Sequence, residues 1–238
     1  EIYDGGMGDH AQAVKQSDAG SPLQTSQWLW ASQPPRRWPI TCDPQHKCGF
    51  LHRLDVPSSG LILVAKTYEA YYDLKLQLNV GELVRDYIVL CHGWLAPTRC
   101  NIAAQIRHDG GSDSPSVARL EGGRPSRTRL KVVAHALLDG RALGLIAIRI
   151  VTGRRHQIRV HTAHIGHPTV CDGKYTHATT YGDDRKWCRR NFIHRYRLAF
   201  LDGRRREREA VVSLPTDLAA AVQQLQPRGA RSAAALER

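Results

Sequence analysis

The sequence lacks long hydrophobic runs and any recognisable leader. No apolar stretch approaches the roughly 20 residues that a membrane-spanning helix requires, and no secretory signal pattern is visible. We therefore expect no membrane partner, no disulfides and an intracellular, reducing compartment, either the cytoplasm or an organelle. Because the chain begins with Glu1 and not with Met, we also expect it to be an excerpt of a longer or processed product.

Paired cysteine motifs are lacking as well. The six cysteines include no C-x-x-C pair. Cys42, His46 and Cys48 lie close together, but their spacing matches no standard zinc knuckle. The histidines of the segment 161–167 recur every three residues, which would spread them around a helix and past its end. We therefore expect no metal site.

Acidic residues are scarce relative to basic ones. The chain has 22 Asp and Glu against 34 Lys and Arg, a net charge of +12. Such a balance favours a polyanionic partner and does not bear on the fold. The segment 185–208 alone holds ten basic residues and two acids. It is either a solvated basic face or a nucleic-acid surface, and the aromatic rings of Trp187, Phe192 and Tyr196 within it favour the second.

Hydrophobic patterning divides the chain into three parts. Residues 1–47 are rich in Gly and Pro and show little periodicity, so we predict a poorly structured segment. Residues 48–225 form the predicted folded domain, and a flexible tail is predicted from 226 to 238. Within the domain many strands and few helices predict an α+β fold around a mixed, mainly antiparallel sheet with flanking helices. The predicted strands are 61–65, 84–91, 102–108, 127–137, 143–151, 193–201 and 209–214, and the predicted helices are 68–78, 154–165 and 217–225, the last capped by Thr216.

One acidic side chain is well placed for chemistry. Asp55 ends the polar segment His52-Arg53-Leu54-Asp55, just before an apolar run. A lone Asp in a loop is usually a turn former, but here a second cationic segment follows about a hundred residues later. In the predicted helix over 154–165, Arg155 and Arg159 share a face, and a paired arginine would keep a buried carboxylate ionised.

One tyrosine is a second candidate. Tyr87 lies in the predicted strand over 84–91. It is either a core residue of that strand or a ring that lines a pocket, where it can stack on a base and present its hydroxyl.

Four separated blocks resemble, in order, the RluA-type RNA pseudouridine synthase family. The first is His52 to Gly60, and the second is Arg85-Asp86-Tyr87. The third is Gly123 to Thr128, and the fourth is Thr152 to His161, followed by Asp172-Gly173-Lys174-Tyr175. One block alone would be weak support, whereas four in the same order are highly specific.

The resemblance implies a fold, an activity and a set of site residues. The fold is the pseudouridine synthase fold with a central catalytic cleft, and the activity is isomerisation of uridine to pseudouridine in ribosomal or transfer RNA by a monomer, with no cofactor and no metal. Asp55 corresponds to the catalytic Asp, Tyr87 to the active-site Tyr, and Arg159 to the Arg that pairs with the Asp. Arg53 corresponds to a residue that fills the gap left by the flipped base. The expected RNA-binding residues are His52, Arg53, Arg154, Arg155, His156, Arg189 and Arg190.

Two other functions compete with this one. The first is a catalytically silent RNA-binding protein of the same fold, which would have no need to retain Asp55, Tyr87 and Arg159 together. The second is a basic RNA hydrolase that uses Asp55 and His52 as acid and base, which accounts for the charge but not for the four blocks.

Overall fold

The computed structural model describes residues 11–16, 38–111, 114–119 and 121–237. The strands are β1 (Ala11–Gln16), β2 (Ser59–Ala65), β3 (Val84–His92), β4 (Asn101–Ala103), β5 (Gln105–Arg107), β6 (Val117–Arg119), β7 (Arg127–Leu138), β8 (Arg141–Ile150), β9 (Ile193–Leu201), β10 (Glu207–Val211) and β11 (Gln226–Pro227). The helices are α1 (Tyr68–Val80), α2 (Gln157–His164), α3 (Ala178–Asp184), α4 (Thr216–Gln223) and α5 (Ala230–Leu236). Two short 3-10 segments cover Pro39–Cys42 and Pro44–Gly49. The predicted α+β class with a mainly antiparallel sheet is confirmed.

The described residues divide into two compact units. The smaller unit comprises the chain up to Leu54 together with Gly60–Val84 and Arg197–Val212. The larger unit comprises Asp55–Ser59, Arg85–Tyr196 and the chain from Ser213 onward. The catalytic domain that the sequence predicts over 48–225 stays a prediction. Among the described residues, no helix is both long and apolar enough to cross a membrane.

The smaller unit is built on β2 and α1. The continuous apolar sequence of β2 matches its almost complete burial, as expected for a strand covered on both faces. α1 begins where the Thr67 side chain accepts a hydrogen bond from the Ala70 amide, and it ends at Gly81 in the left-handed conformation. Both ends therefore follow from ordinary capping chemistry. The buried core of this unit consists of Ile40, Leu51, Leu61, Leu63, Ala65, Tyr71, Leu74, Leu83, Leu198 and Phe200.

The larger unit contains most of the sheet. Its strands follow the order β9, β3, β8, β7 and β11, and β8 pairs antiparallel with both β3 and β7. The first five residues of β7 alternate between exposed basic or polar side chains and buried ones, so that one face of the strand is wet and the other packed. The buried core of this unit consists of Leu90, Ala134, Ala136, Leu143, Leu145, Val170, Cys171, Cys188, Phe192, Leu218, Ala221 and Leu225.

Several sequence predictions fail in their details. The single strand predicted over 102–108 is two short strands, because β4 pairs with β7 whereas β5 pairs with β6. Thr216 is the first residue of α4 and not its cap; Pro215 occupies the cap position and provides no side-chain hydrogen bond. Of the segment 1–47, residues 1–10 and 17–37 lie outside the described residues, while β1 pairs with β2.

The predicted flexible tail is also wrong over most of its length. The chain from Gln226 forms β11 and α5. The Arg228 amide donates to the His135 carbonyl at 2.8 Å, and the His135 amide donates to Ser232 Oγ at 3.1 Å. Backbone hydrogen bonds to β7 therefore order a segment whose composition alone gives little hydrophobic signal.

Two leucines of α1 provide a test of the smaller unit's core. Leu74 is 2% exposed and Leu76 is 60% exposed. We expect Leu74→Ala to lower the free energy of unfolding by about 2–5 kcal/mol, because it removes buried methyl groups and leaves a cavity. The matched Leu76→Ala should change it by no more than about 0.5 kcal/mol. Urea denaturation followed by circular dichroism measures both, and equal losses would contradict the assignment of the buried face.

Candidate active site

The Asp55 turn is held at both ends within the larger unit. The Ser58 amide donates to the Asp55 carbonyl at 2.8 Å, which closes the turn just before β2. Arg190 Nη1 donates to the Pro57 carbonyl at 3.4 Å, and Ser59 Oγ is hydrogen-bonded to His194 Nδ1 at 2.9 Å. The Asp55 side chain itself is half-buried. The turn thus presents a partly accessible carboxylate from an anchored backbone.

Arg159 lies on α2 and forms a buried ion pair. Its Nε and Nη2 donate to the two carboxylate oxygens of Asp172 at 2.7 and 2.5 Å. Among the described residues no hydrogen bond joins Arg159 to Asp55, so the direct pair that the sequence predicts is replaced by one with Asp172. A bidentate, buried pair of this kind fixes the orientation of the guanidinium.

Asp55 nevertheless acts on Arg159 through its charge. Burial acts to lower the pKa of Arg159, but the hydrogen bonds and charge of Asp172, with a contribution from Asp55, raise it above its ordinary value. Asp55 also acts on His156, where burial lowers the pKa and the charges of Arg159 and Arg155 lower it further against the opposing effect of Asp55. The carboxylate of Asp55 therefore lies within electrostatic reach of both side chains.

The start of α2 is set by one glutamine side chain. Gln157 Oε1 accepts from Thr152 Oγ1 at 2.8 Å and from the Arg154 amide at 3.0 Å. Its Nε2 donates to the Arg127 carbonyl and to Thr128 Oγ1 on β7. The helix therefore begins at Gln157 and not at residue 154, after His156 in a left-handed conformation with φ of 55°.

This start corrects the predicted placement of the neighbouring arginines. Arg155 precedes the helix and does not share a helical face with Arg159. Arg155 Nη1 is hydrogen-bonded to His108 Nε2 at 2.9 Å, while Arg154 Nε donates to the Pro125 carbonyl at 3.3 Å. Both side chains are half-buried in the loop before α2. Their predicted contact with RNA stays a prediction.

Tyr87 is buried on β3, at 4% exposure. Arg195 Nε donates to its hydroxyl at 2.8 Å, and Arg195 Nη2 donates to the same oxygen. A second arginine, Arg85, is also buried, and burial lowers its pKa. The charge of Arg195 lowers this pKa further, whereas that of Tyr87 raises it. Gly153 leaves room for this arginine, since a Cβ there would lie 2.9 Å from Arg85 Nη1.

Comparison with known proteins identifies this arrangement. The family described as RNA pseudouridylate synthase matches residues 43–164, just over half of the chain. The chain belongs to this family. The matched region begins before the Asp55 turn and ends at the last residue of α2, so it includes all four blocks. The family resemblance seen in the sequence is confirmed.

Individual relatives agree with the family assignment. Ribosomal large subunit pseudouridine synthase C of Haemophilus influenzae is 36% identical over 126 residues, which are 52% of this chain and 38% of that protein. Ribosomal large subunit pseudouridine synthase D of Buchnera aphidicola is 34% identical over 150 residues, 63% of this chain and 46% of that protein. The chain thus matches less than half the length of these relatives.

Solved structures confirm the fold. Human RNA Pseudouridylate Synthase Domain Containing 1 superposes with a TM-score of 0.65 at 26% identity, over 75% of this chain and 74% of that one. Human RNA Pseudouridylate Synthase Domain Containing 4 superposes with a TM-score of 0.59 at 18% identity, over 74% and 76%, and bears on the fold alone. The pseudouridine synthase fold expected from the sequence is therefore present.

The remaining predicted RNA-binding residues of this family member fall in different surroundings. Arg189 is exposed, and its backbone carbonyl accepts from Arg185 Nη1 at 2.8 Å. Arg190 is bonded through Nε and Nη2 to both carboxylate oxygens of Asp217, at 2.6 and 3.1 Å. His52 and Arg53 belong to the smaller unit, where the first is half-buried and the second exposed. Arg190 thus has a structural partner, and the RNA contacts of all four residues stay predictions.

Metal-ligating groups do not converge in the parts of the chain that the structure describes. No group of three or more His, Cys, Asp or Glu residues there could hold an ion. Both ring nitrogens of His161 are hydrogen-bonded, to Thr128 Oγ1 and to the Ala104 carbonyl. All six cysteines are free thiols.

Sequence reasoning missed three side chains around the candidate catalytic residues. Asp172 and Tyr175 were noted only as members of a block, and Arg195 only as part of a basic run. Asp172 forms the ion pair with Arg159, and the guanidinium carbon of Arg159 lies 5.0 Å from the centroid of the Tyr175 ring. The burial of Arg195 in β9 gave no signal in the sequence, because a strand of mixed charge does not reveal which side chains face inward.

The buried ion pair gives a stability prediction. Asp172→Asn should lower the free energy of unfolding by about 3–5 kcal/mol, since it leaves the Arg159 guanidinium buried without a counter-charge. Asp183→Asn is the matched control, because Asp183 pairs with Arg141 and Lys186 at the surface, where water screens the interaction. Urea denaturation measures both. Similar losses in the two variants would contradict a special role for the buried pair.

The lowered pKa of His156 predicts a dependence of stability on pH. Its ordinary value is 6.5, and burial lowers it in the folded chain. As the pH falls below about 6.5, the unfolded chain binds a proton that the folded chain does not, so the free energy of unfolding falls. His156→Gln should reduce this slope between about pH 7 and pH 5. Some slope should remain, because burial also lowers the pKa of His161. An unchanged slope in the variant would contradict the assignment.

Proposed function

We propose that this chain isomerises uridine to pseudouridine in RNA, with the carboxylate of Asp55 as the catalytic group. The observation that carries the proposal is the family match over residues 43–164, which includes both Asp55 and Arg159. The effect of the Asp55 charge on the pKa values of Arg159 and His156, which lie in the same unit, supports it. Asp55 and the segment that bears Arg159 and His156 come from separate family blocks. Their convergence supports an assembled site and not a simple turn at Asp55.

The reaction makes specific demands on such a site. The bond between uracil N1 and ribose C1′ breaks, the base turns, and a bond forms between uracil C5 and C1′. The proton on C5 leaves and N1 gains a proton, so that atoms and charge balance. A carboxylate near C1′ can attack the sugar or assist formation of a glycal. Asp55, on an anchored turn and half-buried, has both the backbone support and the access that this step requires.

The base must leave its stack before this chemistry can begin. Extruding a nucleotide costs a few kcal/mol, which contacts to the flipped base and to the backbone must offset. We propose Arg53 as the side chain that occupies the vacated position and Tyr87 as a surface against the base. Arg154, Arg155 and Arg189 then contact phosphates, with His52 and His156 beside the reacting nucleotide. RNA affinity should therefore fall steeply with rising salt.

The relatives indicate a substrate class. Both curated relatives described above are named ribosomal large subunit pseudouridine synthases. We therefore propose ribosomal RNA of the large subunit as the first substrate to test, with transfer RNA as the second. A monomer and the absence of a cofactor remain part of the proposal.

A tritium-release assay tests the activity. Large-subunit ribosomal RNA and transfer RNA transcripts labelled with tritium at uridine C5 are incubated with the chain, and released tritium is counted. We expect release by the wild type and none by Asp55→Asn, because the amide can neither attack C1′ nor assist as a base. Asp109→Asn, at an exposed surface pair with Arg107, is the matched control and should release tritium normally.

Binding measured in parallel separates the alternatives. Asp55→Asn should still retain RNA on a filter. A wild type that binds RNA but releases no tritium would favour the silent RNA-binding protein, and new chain ends in the RNA would favour a hydrolase. Primer extension after carbodiimide treatment then locates the modified uridine.

A further inference from the structure

One buried arginine binds the hydroxyl of Tyr87, and a second, Arg85, lies two residues from Tyr87 on β3. Arg195, at 2% exposure on β9, donates to that oxygen through both Nε and Nη2. Its guanidinium carbon lies 4.9 Å from the centroid of the Tyr87 ring. Arg85 is buried as well, and among the described residues its Nε has no hydrogen-bond partner. Three polar side chains of β3 and β9 thus form one compact group.

The double hydrogen bond determines what Tyr87 can offer to a ligand. A phenol oxygen can accept hydrogen bonds and donate one through its own proton. The Tyr87 oxygen already accepts two hydrogen bonds from Arg195. The hydroxyl can therefore still donate one hydrogen bond, through its own proton. The guanidinium is planar and its donors form a rigid fork, so it fixes the position of the oxygen more tightly than a single hydrogen bond would. The hydroxyl is thereby held with its proton directed away from Arg195.

This arrangement is costly for folding alone. A buried guanidinium loses its hydration, and a well-packed apolar residue in its place is often neutral or stabilising. The charge of Arg195 also acts to lower the pKa of Arg85, in addition to burial, so the two cations disfavour each other. Locally unfavourable groupings of this kind are concentrated at functional sites. The burial of two cations beside one phenol therefore favours a role in the reaction over a role in packing.

We propose that Arg195 is a positioning residue that holds the Tyr87 hydroxyl as a hydrogen-bond donor toward the uridine. This inference rests on the proposed function, because the uridine is the ligand that the hydroxyl would address. Arg195 acts through Tyr87 and does not itself touch the substrate. Without the two N–H donors of Arg195, the phenol ring stays in place but its hydroxyl rotates freely about the C–O bond. The kcat should therefore fall more than the affinity for RNA.

A double-mutant cycle tests the coupling. We expect Arg195→Met to lower kcat by about 10- to 100-fold with KM little changed, as for other losses of precise positioning. Tyr87→Phe should lower kcat at least as much. The double variant should match Tyr87→Phe alone, because the proposed effect of Arg195 on turnover passes through that hydroxyl. Independent, multiplicative effects of the two substitutions would overturn the proposal.

Two further variants separate positioning from folding. Arg141→Met is the matched control, since Arg141 is exposed and pairs with Asp183 at the surface, and it should leave kcat unchanged. Arg195→Lys keeps the charge but lacks the fork, so its kcat should lie between those of the wild type and Arg195→Met. If Arg195→Met does not fold, Arg195→Lys carries the cycle with Tyr87→Phe. A kcat for Arg195→Lys equal to that of the wild type would contradict the need for a fork.

A spectroscopic measurement tests the contact without turnover. The chain has eight tyrosines, and labelling their Cζ atoms with carbon-13 gives one resonance for each. The resonance lost in Tyr87→Phe is that of Tyr87, and it should shift in Arg195→Met or Arg195→Lys while most others stay in place. An unmoved Tyr87 resonance would overturn the contact whatever the activity. A shifted resonance in a chain that releases no tritium would instead overturn the proposed function, and with it the role of Arg195 in the reaction.

Discussion

The candidate site depends on the buried pair between Arg159 and Asp172. A guanidinium can remain in a low-dielectric interior only when a counter-charge and hydrogen bonds replace its water. Asp172 provides both, and its remaining acceptor capacity is used by Thr169 Oγ1 and by the amides of Lys174 and Tyr175. The pair therefore joins α2 to the loop that follows it. Among the described residues Asp55 forms no ion pair with Arg159, and its charge still acts to raise the pKa of that guanidinium.

The basic character of the chain is distributed among distinct roles. The segment 185–208 holds ten basic residues, but Arg190 is bonded to Asp217, Arg206 and Arg208 to Asp202, and Arg195 to Tyr87. Net charge therefore indicates a polyanionic partner without identifying the side chains that meet it. The exposed Arg189 is a better candidate for a phosphate contact than Arg190, because Arg190 would have to give up the carboxylate of Asp217.

The sequence predicts best where one local signal decides the structure. The apolar run over 61–65 was sufficient to predict a buried strand, and the segment 68–78 was sufficient to predict a helix. The start of α2 was misjudged because it depends on the Gln157 side chain, which bonds residues on β7 that are distant in sequence. Asp55 and Arg159 were found through family blocks, whereas Asp172 as the true partner of Arg159 required the fold. Burial of Arg195 was likewise invisible, since it depends on which face of β9 is covered.

Polar networks, and not apolar contacts alone, position the catalytic candidates. Gln157 uses both its oxygen and its nitrogen to connect the loop before α2 with β7. Arg190 anchors the Asp55 turn, and Arg195 fixes the Tyr87 hydroxyl. Apolar contacts are nondirectional, so a small rotation of a side chain costs little free energy. Hydrogen bonds, in contrast, specify direction as well as distance. The proposed reaction requires a carboxylate to be aligned with one carbon of an extruded nucleotide, which tolerates little rotation. Burying these polar groups costs desolvation free energy. In return, their hydrogen bonds fix the orientation of the candidate side chains.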